Sequence, residues 1–434
     1  MRIACLHIPQ LSLQCATRID PSLRGAPVAV VGAAERGPRV LGAPIVLACS
    51  RAAWALGVRL GMTATSARAL SPALVIVTAD PVAERETARA IADALLGVTA
   101  TVEIGGRVGA GAAHLAVYAE VPTARAKGRP TGWRGQAFGE RALELIGALG
   151  LTGRVGIADD RFTAWVAAAY GADKHVHDGD EDGVVVVPRG GSAAFLAPRP
   201  LALLAIPLEV QHMLEALGVT TLGQFAALPA PSVARPFEAD YQALARGDSG
   251  SALRPYTPDG PIREELLVRS GNVLDSASGV SGPAAIATIA RRIELRLAGR
   301  GRTAARLDVR AGERELPIEL ASPIGEAEAL ARVLAPAIGE SGGAWRLIVH
   351  VAGEALAGDE RTVADHGASR AAEAVTTDPL AVVLATAGSL DLRPWALSPD
   401  VRAERRDVHR RTRRGKQRRT RPTPSAQSRL FERG

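Results

Sequence analysis

From Ile262 onward the sequence permits few architectures. An alternating apolar stretch, Ile262–Arg269, leads into the helical run "GPAAIATIARRIELRLAGRG". Two strand-like stretches follow, Thr303–Arg310 and Arg314–Leu320, then helix Gly325–Ile338 and strand Ala344–Ala352. The order βαββαβ predicts a four-stranded sheet with both helices on one face. Arg291, Arg292, Arg296, Arg300 and Arg302 cluster on or just after the first helix. They are read in part as its solvated face, and none is assigned to nucleic acid.

The first 190 residues have an α/β texture. Apolar stretches at Arg2–Ile8, Pro27–Val31, Ala73–Thr78, Leu115–Val121, Gly153–Ala158 and Val184–Val187 alternate with Ala-rich helical runs such as Ala83–Leu96 and Gly139–Leu149. The first strand ends at His7 and Pro9, and no carboxylate occurs before Asp20. A strand that ends without chemistry-bearing side chains is either scaffold or the remnant of a site. Between these two regions, "LEALGVTTLGQFAAL" reads helix, Gly218 turn, helix, with Thr221 as N-cap and Gln224 reaching back in a capping box. Such a hairpin can offer free N–H groups at Gly218, Thr220 and Thr221 to a DNA phosphate. An ordinary helical hairpin makes the same pattern.

Length and composition bound the rest. A chain of 434 residues suggests about three domains, and 47% hydrophobic residues suffice for real cores. No apolar run approaches membrane-spanning length, and no signal peptide is present. Cys5, Cys15 and Cys49 lie far apart without a CxxC pair, which argues against disulfides and zinc and for a soluble cytoplasmic protein. The net charge is +7, yet residues 402–421, "RAERRDVHRRTRRGKQRRTR", hold ten Arg and one Lys against Glu404 and Asp407, or +9. The remainder is therefore 7 − 9 = −2. The block is expected to be disordered and to bind polyanions through Arg410, Arg411, Arg413, Arg414, Lys416, Arg418 and Arg419. Residues 357–401 read as a linker.

Several motifs fail on inspection. "DGDEDG" at Asp178–Gly183 opens like a calcium loop, but the twelfth position is Arg189 and the next residues are strand-like. His175 and His177 beside it read as part of a wet acidic turn. "GGRVGAGAA" at Gly105–Ala113 lacks the dinucleotide spacing, and no GxxxxGK[ST] occurs. No metal site and no cofactor are expected. The last ten residues, "SAQSRLFERG", place Gln427, Leu430 and Phe431 in a Q-x-x-L-F peptide. A side-chain hydrogen bond and two apolar anchors would fit the pocket of a bacterial sliding clamp.

Together these pieces resemble the Y-family DNA polymerases, most closely their catalytically degenerate ImuB branch. "VLACSRAAWALGVRLGMTATSARALSPALVIVTADP" looks like the fingers, "GRVGIADDRFTAWVAAAYG" like a palm strand and helix, and "LEALGVTTLGQFAALP" with "ALARGDSGSALRPYTP" like the thumb and its exit. The resemblance implies an α+β multidomain right hand: palm 1–10 and 75–170, fingers 11–74, thumb 171–258, βαββαβ little finger 259–356, linker 357–401 and a disordered basic tail 402–434.

Active members carry Asp-x-Asp on the first strand, followed by an aromatic sugar screen. Here those places fall on His7, Pro9 and Ser12. The Asp-Glu motif expected between Glu103 and Tyr118 is missing, the triphosphate grip falls on Arg51 and Trp54, and palm lysines are replaced around Arg161 and Trp165. The resemblance therefore implies no nucleotidyl transfer, primer–template binding without sequence preference, and partners comprising the sliding clamp, a polymerase and an ImuA-like protein in translesion synthesis and SOS mutagenesis. ImuB proteins usually continue past the clamp motif, whereas three residues follow Phe431 here, so those contacts lie elsewhere, as in 357–401, or are not made. Two other readings stay open at this point. One is an active error-prone polymerase with Glu103, Asp159 or Asp160 converging near His7, and the other is a DNA-binding protein with no clamp partner.

Overall fold

The computed structural model describes residues 1–32, 44–105, 114–122, 133–171, 183–229, 236–250, 252–270, 281–337 and 343–357. These all fall within one compact unit. The first strand, β1 (Ile3–Pro9), lies at the centre of a five-stranded sheet. The sheet order is β5 (Val102–Gly105), β6 (His114–Glu120), β1, β7 (Arg154–Ala158) and β8 (Val184–Val186), antiparallel except for β7 with β8. The period-two pleat of β1 sends Ala4, Leu6 and Ile8 into the main core. Helices α1 (Leu11–Ile19), α4 (Pro81–Leu96) and α5 (Trp133–Ala148) contribute to that core through Leu11, Cys15, Ile91, Leu95 and Ile146.

On the opposite face lies α6 (Arg161–Tyr170), buried from Phe162 to Ala169. It reaches the sheet because β7 carries Gly156. A Cβ there would sit 2.1 Å from the Ala164 carbonyl oxygen and 2.3 Å from the Ala168 nitrogen.

A second sheet has the order β3 (Ile45–Cys49), β2 (Val28–Gly32), β4 (Val75–Thr78). With α2 (Arg51–Ala55) and α3 (Ala64–Arg68) it surrounds its own core of Ala29, Val31, Val46, Val58 and Leu74. Helix α1 bridges the two sheets: Leu11 and Cys15 bury in the core of the five-stranded sheet, while the same helix touches β2 and β3 of the second.

Short helices follow: α7 (Ser192–Leu196), α8 (Leu208–Ala216), α9 (Leu222–Ala226) and α10 (Pro236–Ala245). Between α8 and α9, Gly218 adopts φ 83°, and the Thr221–Gln224 capping box forms as the sequence predicts. The last block is β9 (Ile262–Ser270), α11 (Gly282–Arg300), β10 (Arg302–Ala311), β11 (Arg314–Ile324), α12 (Ala327–Leu334) and β12 (Gly343–Leu356). Its four antiparallel strands run β11-β10-β12-β9, and Leu266, Leu307, Leu347 and Val349 pack on Ile289, Ile293 and Leu330. The predicted βαββαβ order is realised. No described helix is long and apolar enough to cross a membrane. The three cysteines are free and buried.

Candidate functional site

The C-terminal end of β1 presents His7 between Ala116 of β6 and Arg154 of β7. The His7 ring centroid lies 5.2 Å from that of His114, the first residue of β6. His114 in turn sits 6.4 Å from Trp165 of α6, and Trp165 packs against Phe162 at 6.0 Å and edge-on to Tyr170 at 5.8 Å. Trp165 is 2% exposed. Burial, with help from His114 and Arg154, holds His7 well below the usual imidazole range. Burial alone brings His114 down to about 4. At neutral pH both rings are therefore uncharged.

The acids that an active site would need are occupied elsewhere. Glu103 accepts from Arg161 at 2.6 Å and from the Arg254 backbone N–H at 2.7 Å, while the Arg161 guanidinium stacks 4.9 Å from the Tyr118 ring. Asp159 accepts from Arg2 at 2.9 Å and from the Gly190 N–H at 2.7 Å. Asp160 caps α6 through the Thr163 N–H at 2.9 Å and accepts from the Ser249 hydroxyl at 2.8 Å. Ser12, at the place expected for a sugar screen, is 4% exposed and donates to Glu84 at 2.5 Å. Two neutral imidazoles and a proline at this strand end do not fit a pair of hard divalent cations. Among the described residues no group of three His, Cys, Asp or Glu could hold a metal.

One feature escaped the sequence reading. Gln10, between β1 and α1, is the one described non-glycine residue with positive φ, at 48°. The turn is held by Gln14, whose amide donates to the Pro9 carbonyl at 2.8 Å and the Thr152 carbonyl at 3.0 Å, and whose oxygen accepts from the Thr152 N–H at 2.9 Å. No motif in "HIPQLSLQ" announces it, because the partner Thr152 is distant in sequence.

The other expected residues lie apart from this cluster. Arg51 and Trp54 are on α2, where Ser50 caps the helix. An unforeseen neighbour, Arg59, lies 3.9 Å over the Trp54 ring and donates to its carbonyl at 2.7 Å. At the α8–α9 turn the backbone donors have internal acceptors. Gly218 donates to Glu215, Val219 to Leu214, and Thr220 and Thr221 both to the Gln224 side chain, at 2.8 and 3.1 Å. In this arrangement the N–H groups of Thr220 and Thr221 are engaged by the Gln224 side chain, and that of Gly218 by the helix-end carbonyl of Glu215.

Of the five arginines on or after α11, Arg291 is solvated as expected of some of them, whereas Arg292 and Arg296 are 2% and 0% exposed. Their side chains turn inward toward acids on other elements, which helical spacing alone cannot reveal. His175, His177, the acidic stretch 178–182, Arg410, Arg411, Arg413, Arg414, Lys416, Arg418, Arg419, Gln427, Leu430 and Phe431 lie outside the described residues.

Residues 8–169 match the model of the impB/mucB/samB family. The chain is also similar to Protein ImuB of Caulobacter vibrioides (strain NA1000 / CB15N), 28% identical over 303 residues that cover 65% of this chain and 58% of that protein. It resembles DNA polymerase IV of Xanthomonas campestris pv. campestris (strain 8004) at 28% over 255 residues, 57% of this chain and 62% of the relative. Thus the matched region spans less than two thirds of either relative's length. Among solved structures, DinB from Sulfolobus solfataricus aligns with TM-score 0.44 and 16% identity, covering 81% of this chain and 98% of that one. The post-insertion binary complex of Dbh DNA polymerase aligns with TM-score 0.46 and 17% identity over 82% of this chain and all of the other.

Proposed function

We propose that this chain is a non-catalytic, Y-family-like adaptor in translesion synthesis. It holds primer–template DNA, docks on the sliding clamp and brings in a partner polymerase that performs the chemistry. The observation that carries the reading is the end of β1. There, the neutral ring of His7 packs against that of His114, His114 rests against the buried Trp165, and Glu103, Asp159 and Asp160 each bind other partners. Two-metal nucleotidyl transfer needs carboxylates to hold both cations, and those side chains supply none there. In this reading the five-stranded sheet is the palm, the three-stranded sheet the fingers, α7–α10 the thumb and the βαββαβ block the little finger.

DNA would be held mainly by its phosphates, without sequence preference. The basic residues Arg410, Arg411, Arg413, Arg414, Lys416, Arg418 and Arg419 supply most of that attraction, with the turn at Gly218, Thr220 and Thr221 as a further phosphate contact once Gln224 releases Thr220 and Thr221 and the Gly218 N–H leaves the Glu215 carbonyl. Gln427, Leu430 and Phe431 carry the clamp contact. Recruitment of a partner polymerase and an ImuA-like protein follows from the likeness to ImuB. Two measurements test the reading. Clamp binding in the micromolar range by the intact chain, lost in Leu430→Ala/Phe431→Ala, supports the adaptor role, and no binding by either removes the clamp from it. Primer extension with magnesium or manganese that survives removal of contaminating polymerases overturns the non-catalytic assignment.

A further inference from the structure

The βαββαβ block meets the five-stranded sheet through an interface with an unusual content of buried charge. Helices α4 and α11 cross in backbone contact. A Cβ at Gly299 would lie 1.7 Å from the Asp93 carbonyl oxygen, and one at Gly97 would lie 3.6 Å from the Gly299 Cα. Leu295 of α11 joins the core of the five-stranded sheet. Around this crossing Arg296 donates to Asp93 at 2.9 Å, to Glu264 at 3.1 Å and to the Arg263 carbonyl at 3.0 Å. Arg300 donates to the same Asp93 oxygen at 3.0 Å and to Glu354 at 2.8 Å. From α1, Arg18 donates to Glu264 at 2.6 Å, and Arg292 donates to the Arg18 carbonyl at 3.3 Å.

Asp93 and Glu264 are 0% and 1% exposed. Burial raises the Glu264 carboxyl, but Arg18, Arg296 and Arg292 outweigh it and hold the group below the usual range. Burial and the nearby Arg18 charge bring Arg292 down to about 9.

The segment joining α10 to β9 is tied down as well. Arg254 donates its N–H to Glu103 at 2.7 Å, and the Tyr256 N–H donates to the Val102 carbonyl at 2.6 Å, extending the edge of β5. The Tyr256 hydroxyl donates to Asp93 at 3.0 Å, its ring packs on the main core, and Asp259 pairs with Arg89 at 3.5 Å. At the margin Arg269 pairs with Asp20 at 2.9 Å.

We propose that these contacts form a permanent clasp, so that the βαββαβ block and the five-stranded sheet move as one rigid body rather than as two units on a flexible tether. Buried ion pairs contribute little net stability, but they are selective for register. A slide of one helical turn would leave Arg296 and Asp93 buried without partners, so neighbouring positions of α11 on α4 are disfavoured. Close backbone packing at Gly299 and the strap at 254–256 restrict the motion further. The clasp does not depend on any reading of DNA or clamp binding.

The test is a spin–spin distance measurement on the full chain. Exposed Glu144 of α5 and Glu319 of β11 are replaced by labelled cysteines, and the buried Cys5, Cys15 and Cys49 stay unreacted. A single narrow distribution, unchanged between 0.1 and 1 M salt and on adding primer–template DNA, is expected, these salt limits being roughly one Debye length of 10 Å down to 3 Å. A broad or two-peaked distribution, or a shift with DNA, overturns the clasp. Asp93→Asn with Tyr256→Phe should broaden the distribution while circular dichroism reports both sheets intact. An unchanged narrow distribution in that folded variant overturns the role given to these residues. If the double variant does not fold, Tyr256→Phe alone, which keeps the ring, is read in the same way.

Discussion

His7 and His114 make the stability of this chain depend on pH in a definite direction. Their imidazoles titrate lower in the folded chain than in the unfolded one, because burial disfavours the charged form and, at His7, the neighbouring His114 and Arg154 add to it. The unfolded chain therefore binds more protons below pH 6.5, and stability contributed by the neutral rings is lost as pH falls from about 6.5 toward 4. The rings are only half-buried by surface area, which screens the effect to about 1–2 kcal/mol at pH 4.5. Urea unfolding at pH 7 and 4.5 should show this loss, and His114→Phe should flatten it. An equal pH dependence in the variant would place the acid sensitivity elsewhere. His7 was legible in the sequence as the residue ending a carboxylate-free strand, whereas its pairing with His114 required the antiparallel register of β1 and β6.

At the scale of elements, α6 illustrates what sequence shows and what it hides. The helix is legible only in that "GRVGIADDRFTAWVAAAYG" looks like a palm strand and helix; its Asp160 N-cap and its depth on the sheet, which depends on one missing Cβ at Gly156, appear only in the fold. Gly156→Ala would collide with backbone atoms of Ala164 and Ala168 that no rotamer change can relieve. A loss of about 3 kcal/mol is expected in chemical denaturation, with near-ultraviolet circular dichroism of Trp165 reporting the displaced helix. A loss below about 0.5 kcal/mol would mean that α6 can be lifted off the sheet at little cost.

The β-strands of the βαββαβ block were readable because their period-two pattern is local. The arginines of α11 were not, since helical spacing places Arg292 and Arg296 on a face but cannot say that Asp93 and Glu264 await them there. The strands β3 and β5 were likewise missed: each is short, and β5 is recognised only by its pairing with β6. The Thr221–Gln224 box is legible from its spacing, but that spacing does not say that the Gln224 oxygen also takes the Thr220 N–H, so a phosphate at this turn has to displace Gln224 first.

Over the whole molecule, charge is divided so that the two proposed binding functions can be tested separately. The chain outside 402–421 carries −2 and that block +9, so nonspecific attraction to DNA should reside mainly in the block, while the Gln427–Phe431 peptide is nearly uncharged apart from Arg429. Deleting 402–421 and keeping 422–434 should therefore weaken primer–template affinity by roughly 10²-fold at 0.1 M salt and reduce the slope of log affinity against log salt by about 4–6, since each neutralised phosphate contributes about 0.9. Binding to isolated clamp should be unchanged by that deletion, and DNA affinity should be unchanged by Leu430→Ala/Phe431→Ala. The two losses should combine only when the clamp is loaded on DNA, where each contact raises the effective concentration of the other to about the millimolar range. If the deletion leaves the salt slope intact, the phosphate contacts belong to the rest of the chain despite its net negative charge. If it abolishes clamp binding, the arginines themselves are part of the clamp contact and the two functions are not separable.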